Sequence, residues 1–176
     1  MRKRTRARQL ALEVLFQVDL LGASSLTEAM EDMAGRSDDA TVTAFAVALV
    51  RGTLDKVADI DRVIREVAEN WDLARMATVD RNVLRLGAFE LLYREDIPPK
   101  VSINEAIDLA KSYSTAESGT FVNGILDRIK NAYAPKEKGA VLADALAAAD
   151  QAPQAAGDLS AEASAEEEAA EGGEEE

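Results

Sequence analysis

Apolar residues recur three and four positions apart through most of the first 135 residues, and this spacing predicts a succession of helices without strands. Leu10, Ala11, Val14, Leu15, Val18 and Leu21 share one face of a first helix that begins within a basic arm and that Gly22 is placed to stop. A short second helix is expected over about residues 26–33, with Ser25 or Thr27 as its cap and Gly35 at its end. From about residue 41 to 70 the pattern is helical almost without interruption. Phe45, Leu49, Leu54, Val57, Ile60, Ile64 and Val67 drift around one stripe, and Gly52 in its interior offers a bend there or near Asp59. Residues 71–76 then read as a connection.

Thr78 is placed to cap the next helix, which runs to about residue 94 with so few polar faces that it is expected to be the most buried. Pro98 and Pro99 stop it. Ser102-x-x-Glu105 reads as a capping box opening a helix that ends near Tyr113, and a last helix is expected over about 119–132, ended by Pro135. Beyond that point the chain turns to Ala, Glu, Asp and Gly, with no large side chain after Leu159. Such a composition cannot bury enough apolar surface to fold, so residues 136–176 are expected to be a largely disordered acidic tail behind a helical domain over 5–135.

Composition narrows the chemistry. A chain of 176 residues has room for one ordinary domain, and 47% hydrophobic content with only 5% aromatics points to helices packed through small side chains. The absence of Cys and His removes disulfides, Cys/His zinc sites, thiolate nucleophiles and imidazole bases, and with them most hydrolytic mechanisms. The neighbouring acids Asp38 and Asp39, and Asp59 and Asp61, lack ligand spacing, so no metal or cofactor is expected. No apolar run is long enough to span a bilayer, and Glu13, Gln17 and Asp19 interrupt the first thirty residues. The expected location is the cytoplasm.

The net charge of −13 is unevenly distributed. Residues 136–176 carry two lysines against twelve acids, whereas Arg2, Lys3, Arg4, Arg6 and Arg8 form an arm over residues 1–8 that meets no acid before Glu13. Arginine binds phosphate bidentately and stacks on bases, so the arm fits RNA, with a solvated basic start as the plainer reading. An arm that orders only on RNA is the expectation. Phe16 and Phe121 would hold unpaired bases if they lie near the arm, although helical spacing also gives each an apolar neighbourhood and a place in the core. Glu117, expected just before the last helix, fits there as a partner of the helix dipole.

Three segments together resemble the NusB family of bacterial transcription antitermination factors. They are the arm leading into Arg8-Gln9-Leu10-Ala11-Leu12, the stretch Val79-Asp80-Arg81-Asn82-Val83-Leu84-Arg85, and Pro99-Lys100-Val101-Ser102-Ile103-Asn104-Glu105-Ala106 followed by Phe121-Val122-Asn123-Gly124-Ile125-Leu126. The resemblance covers about residues 3–132. It implies an all-α fold, a compact helical bundle of two small three- to four-helix subdomains around a shared core. It also implies binding of the boxA element of ribosomal RNA leader transcripts, together with the small-subunit ribosomal protein that serves as NusE, to help load an antitermination complex on RNA polymerase. No catalysis is implied. Carried over, the RNA-binding arm falls on Lys3, Arg4, Arg6 and Arg8 and the RNA-facing aromatics on Phe16 and Phe121. Phe16 stands where well-known members have tyrosine, which keeps stacking and loses a hydroxyl. The partner-binding acid falls on Glu117, one methylene longer than the aspartate of some members, with Asp80 and Arg85 in the same interface.

Two other classes compete with this reading. A self-associating module whose homodimer buries the arm is one. The other, an RNA cytosine methyltransferase that begins with a NusB-like domain, is excluded because no Gly-rich loop, nucleotide-binding pattern or Cys nucleophile follows residue 135. The tail is unexplained by the resemblance. Its charge suggests that it folds back on the arm and competes with RNA, against the plainer role of a solubilising tail.

Overall fold

The computed structural model describes residues 2–133, so the acidic tail expected over 136–176 and the stop at Pro135 lie outside the described residues. Among the described residues there are seven α-helices and no strand: α1 Lys3–Leu21, α2 Leu26–Gly35, α3 Ala40–Asp55, α4 Val57–Val67, α5 Thr78–Tyr93, α6 Pro99–Tyr113 and α7 Ala116–Tyr133. Short 3-10 turns, Ala23–Ser25 and Leu73–Arg75, fill the links before α2 and α5.

The long third pattern divides into α3 and α4 at Lys56, whose backbone leaves helical geometry at φ −106°, ψ 6°. Gly52 is not the breaking point. It lies inside α3, and a Cβ built there would overlap the ring of Phe89 on α5, so the missing side chain lets α3 settle on α5. The capping box expected at Ser102 and Glu105 does not form, because α6 starts one turn earlier, with Pro99 at a first-turn position where its missing N–H costs nothing. Ser102 is instead buried in the helix, its hydroxyl without a partner among the described residues, and Glu105 accepts a hydrogen bond from Thr5 Oγ1 at 2.9 Å. Thr78 is likewise the first residue of α5 rather than its cap. At α7 the expected start moves back to Ala116, with Thr115 Oγ1 accepting from the Ser118 amide at 3.2 Å. Glu117 therefore sits in the first turn of α7, where the helix dipole favours an acid.

α5 is the axis of the molecule. From Asn82 to Leu91 every residue but Arg85 is buried, and the helix packs against α1, α3, α4, α6 and α7. The helices α1–α3 pack on one another, as do α4–α7, and one continuous set of buried apolar side chains runs through both groups, from Leu10 and Leu15 to Leu126 and Ile129. This is the shared core expected of two small helical subdomains.

The arm is folded. Lys3 to Arg8 form the first turns of α1, where an arm unordered without RNA was expected. The reason lies at Arg8, which is 2% exposed and gives a bidentate pair to Glu90 of α5, Nε to Oε1 at 2.7 Å and Nη2 to Oε2 at 3.0 Å. Glu105 stands 3.7 Å from the same guanidinium. Ala7 is fully buried beside it, and Thr5 is bonded to Glu105, so the turn from Thr5 to Arg8 is tied to α5 and α6.

Removing one member of a buried pair strands the other charge. Arg8→Ala is expected to destabilise the protein by about 3–5 kcal/mol in urea unfolding, whereas Arg6→Gln should stay within about 0.5 kcal/mol. Gly52→Ala should lower stability by about 1–3 kcal/mol through overpacking against Phe89, despite the better helix propensity of alanine. A higher melting temperature for that variant would show that the Phe89 ring moves aside.

Candidate nucleic-acid and partner interface

The helical geometry of α1 sorts the five cations of the arm onto different faces. Residues 2, 6, 9, 13 and 16 are spaced by four and three, so Arg2, Arg6, Gln9, Glu13 and Phe16 form one stripe. Arg4 and Arg8 lie on another, toward α5 and α3. Arg4 sits 4.9 Å from the centre of the Phe45 ring, with Arg94 at 5.1 Å and Arg8 at 5.6 Å. One phenylalanine ring thus lies within cation–π distance of three guanidinium groups at the root of the arm.

Lys3 and Arg4 are exposed and each touches one acid, Asp39 at 2.8 Å and Asp96 at 3.4 Å. Asp39 is also the cap of α3, accepting from the Thr41 amide at 2.9 Å. The Lys3 ammonium, above all, and the Thr41 and Val42 amides hold its carboxyl below the usual range. Surface pairs of this kind are worth about 0–1 kcal/mol, so phosphate can replace either acid. Arg2 is exposed and Arg6, half-buried, reaches Gln9 at 3.5 Å. Arg8 alone has no surface to offer. Sequence reasoning grouped it with the other cations because spacing along a helix does not reveal which face another helix will cover.

Phe121 does not join the arm. It lies on α7 with its ring edge-on to Trp71, centroids 5.0 Å apart, in a groove of about 600 Å³ that also takes in Arg75, Met76, Asp80 and Glu117. The site residues split accordingly. Phe121 and the acids Asp80 and Glu117 share the groove, whereas the cations stand at the start of α1. Glu117 is exposed, and Asp80 accepts from Ser118 Oγ at 3.1 Å while its other carboxylate oxygen has no hydrogen-bond partner among the described residues. Trp71, 60% exposed, joins the groove from the connection before α5 and is not among the residues that the resemblance indicates. As the one tryptophan of the chain, in a polar stretch with no helical period to bury it, it carried a signal that could have been used.

Arg85 is placed elsewhere again. At 14% exposure it is held by Asp61 through two 2.8 Å hydrogen bonds and by Asp19 at 3.1 Å, inside a network that ties α1 and α4 to α5. Burial would raise the Asp19 pKa, but hydrogen bonds from Arg81 and Asn82 and the charge of Arg85 outweigh it and bring the pKa below the usual value. Phe16 is half-buried, three residues from Glu13 and three from Asp19. Glu13 accepts from Tyr113 at the end of α6, and Asp19 from Arg81 near the start of α5. Phe16 is thereby carried along α1 between the arm and the end of the molecule where the groove lies.

Among the described residues no group of three acids could hold a metal ion, and no helix is long and apolar enough to cross a membrane.

Comparison with known proteins gives the arrangement its family. Residues 5–131 match the NusB family model. The transcription antitermination protein NusB of Pelotomaculum thermopropionicum is 47% identical over 140 residues, which is 77% of this chain and 96% of that protein. Among solved structures, T. maritima NusB superposes with a TM-score of 0.72 at 43% identity, covering 77% of this chain and 95% of its own. A chain from the crystal structure of antitermination factors NusB and NusE in complex with dsRNA gives 0.67 at 32% identity, covering 76% and 99%. The chain belongs to the NusB family, and its function is transcription antitermination rather than catalysis.

Proposed function

We propose that this protein binds single-stranded boxA RNA of ribosomal RNA leader transcripts together with the ribosomal protein NusE, and that the pair helps to load the antitermination complex on RNA polymerase. The observation that carries the reading is the charge arrangement on α1. Arg2, Lys3, Arg4 and Arg6 stand at the surface, held by nothing stronger than exposed ion pairs, on a body that is otherwise mildly acidic. A basic patch on such a background attracts a polyanion. The relative solved with NusE and dsRNA is matched over nearly its whole length, which supports the same two partners here.

The roles follow from placement. Lys3, Arg4 and Arg6, with Arg2, meet phosphates, and Arg8 contributes by holding the first turns of α1 through Glu90. Phe16 takes a base further along α1. Phosphate contacts carry no sequence information, so selectivity has to come from base contacts and from the second protein. Asp80 and Glu117, acidic and on the groove with Trp71 and Phe121, suit a basic protein better than a phosphate backbone, and ribosomal proteins are rich in such surfaces. Phe121 then lies where RNA and protein partner meet, and Arg85 keeps α5 in position beneath them.

The test is a fluorescence anisotropy titration of a labelled boxA RNA and a scrambled control, with and without NusE, at several salt concentrations. Four phosphate contacts on a single strand predict a log–log salt slope of about −3, reduced by about 1.4 in a Lys3→Gln/Arg4→Gln variant. Binding should prefer boxA and tighten with NusE. Equal, weak binding to both RNAs, unchanged by NusE, would overturn the proposal, and sedimentation showing a homodimer that excess RNA does not dissociate would replace it.

A further inference from the structure

The stripe on α1 contains a contradiction. RNA that meets Arg6 and stacks on Phe16 must travel about 15 Å along the helix, and about two-thirds of the way along it crosses Glu13, a carboxylate that would repel the backbone. Two side chains from other helices converge on this acid. Tyr113, the last residue of α6, donates its hydroxyl to Glu13 Oε1 at 2.9 Å, and Arg36, just past the end of α2, pairs with Oε2. Asp32 lies 4.0 Å from the same guanidinium.

Both groups remain open to solvent. The Arg36 side chain is 43% exposed and Tyr113 is 37% exposed. Arg36 contacts Glu13 through one terminal nitrogen, and a guanidinium has five N–H donors, so donors remain for a phosphate. Burial, joined by the Glu13 hydrogen bond, pushes the Tyr113 phenol up to about 12, so it stays neutral beside an anionic strand at any working pH. Arg6 and Arg36 both act on that phenol electrostatically, which places the cluster beside the cationic end of the stripe.

We infer that Arg36 and Tyr113, assembled on Glu13, form a further RNA subsite between the arm and Phe16, with Arg36 binding a backbone phosphate and the Tyr113 ring stacking on an unpaired base. The inference rests on the RNA-binding function proposed above. It converts Glu13 from an obstacle into the post on which a cation and an aromatic face are mounted.

The experiment is the same anisotropy titration, with a fluorescein-labelled single-stranded boxA RNA and the full chain. Arg36→Gln should weaken binding about fivefold at low salt and reduce the salt slope by about 0.7. Tyr113→Leu should weaken it about tenfold, and Tyr113→Phe, which keeps the ring, should stay within threefold. In a Glu13→Gln/Arg36→Gln double variant the slope should remain reduced, because the phosphate contact is still missing. Recovery of the full slope in the double variant would overturn direct contact and leave Arg36 only a neutraliser of Glu13. Binding of Arg36→Gln and Tyr113→Leu within twofold of the parent, while Arg6→Gln weakens it, would overturn the subsite and leave the proposed function standing. Loss of the NusE effect with unchanged RNA affinity would also overturn it, by assigning the cluster to the protein partner. A parent chain that fails to bind the RNA would overturn the function and the subsite together.

Discussion

The buried pair of Arg8 and Glu90 is the constraint on which the functional end of this molecule depends. Two charges withdrawn from water are tolerable only in close, well-directed contact, and the two forks meet with both bonds made. The pair fixes α1 against α5, antiparallel, with Asp19 against Arg81 and Asn82 closing the other end. Once the position and rotation of α1 are set there, every other cation of the arm has its direction assigned. Arg4 falls over Phe45, Lys3 toward Asp39, and Arg2 and Arg6 onto the outer stripe. A charge that never meets solvent thus specifies how the exposed ones are displayed.

Much of the fold was legible because helical periodicity is a local property. The stop at Gly22, the exceptional burial of α5 and the absence of strands among the described residues follow from patterns within one or two turns, whereas Pro98 and Pro99 open α6 and α5 has already ended at Tyr93. The differences arise where a distant element decides. Gly52 looks like a weak point until Phe89 is found against it, and the break comes four residues later at Lys56. Ser102 and Glu105 have the spacing of a capping box, but Pro99 can open the helix a turn earlier, leaving the serine to the core and the glutamate to Thr5 and Arg8.

The candidate site was legible in its residue types and less so in its grouping. The family resemblance named cations, aromatics and acids as one set, yet Phe121 keeps company with Trp71, Asp80 and Glu117 rather than with the arm. Arg8 and Arg85, which look like surface arginines in a linear reading, are both spent on internal acids. Nothing within a helix distinguishes a guanidinium bound for phosphate from one bound for a buried carboxylate. The distinction is made by Glu90 and Asp61, which are 82 and 24 residues away.

The acids beside the arm have a second occupation. Asp39 holds Lys3 and also the Thr41 and Val42 amides at the start of α3, and Asp96 faces Arg4 while Arg94 grips it with two hydrogen bonds. When a polyanion draws Lys3 or Arg4 away, neither carboxylate is left without a partner. The resting pairs can therefore open without stranding a charge. A bound polyanion would leave as simply, since each acid keeps its other partner and the cation needs only to swing back.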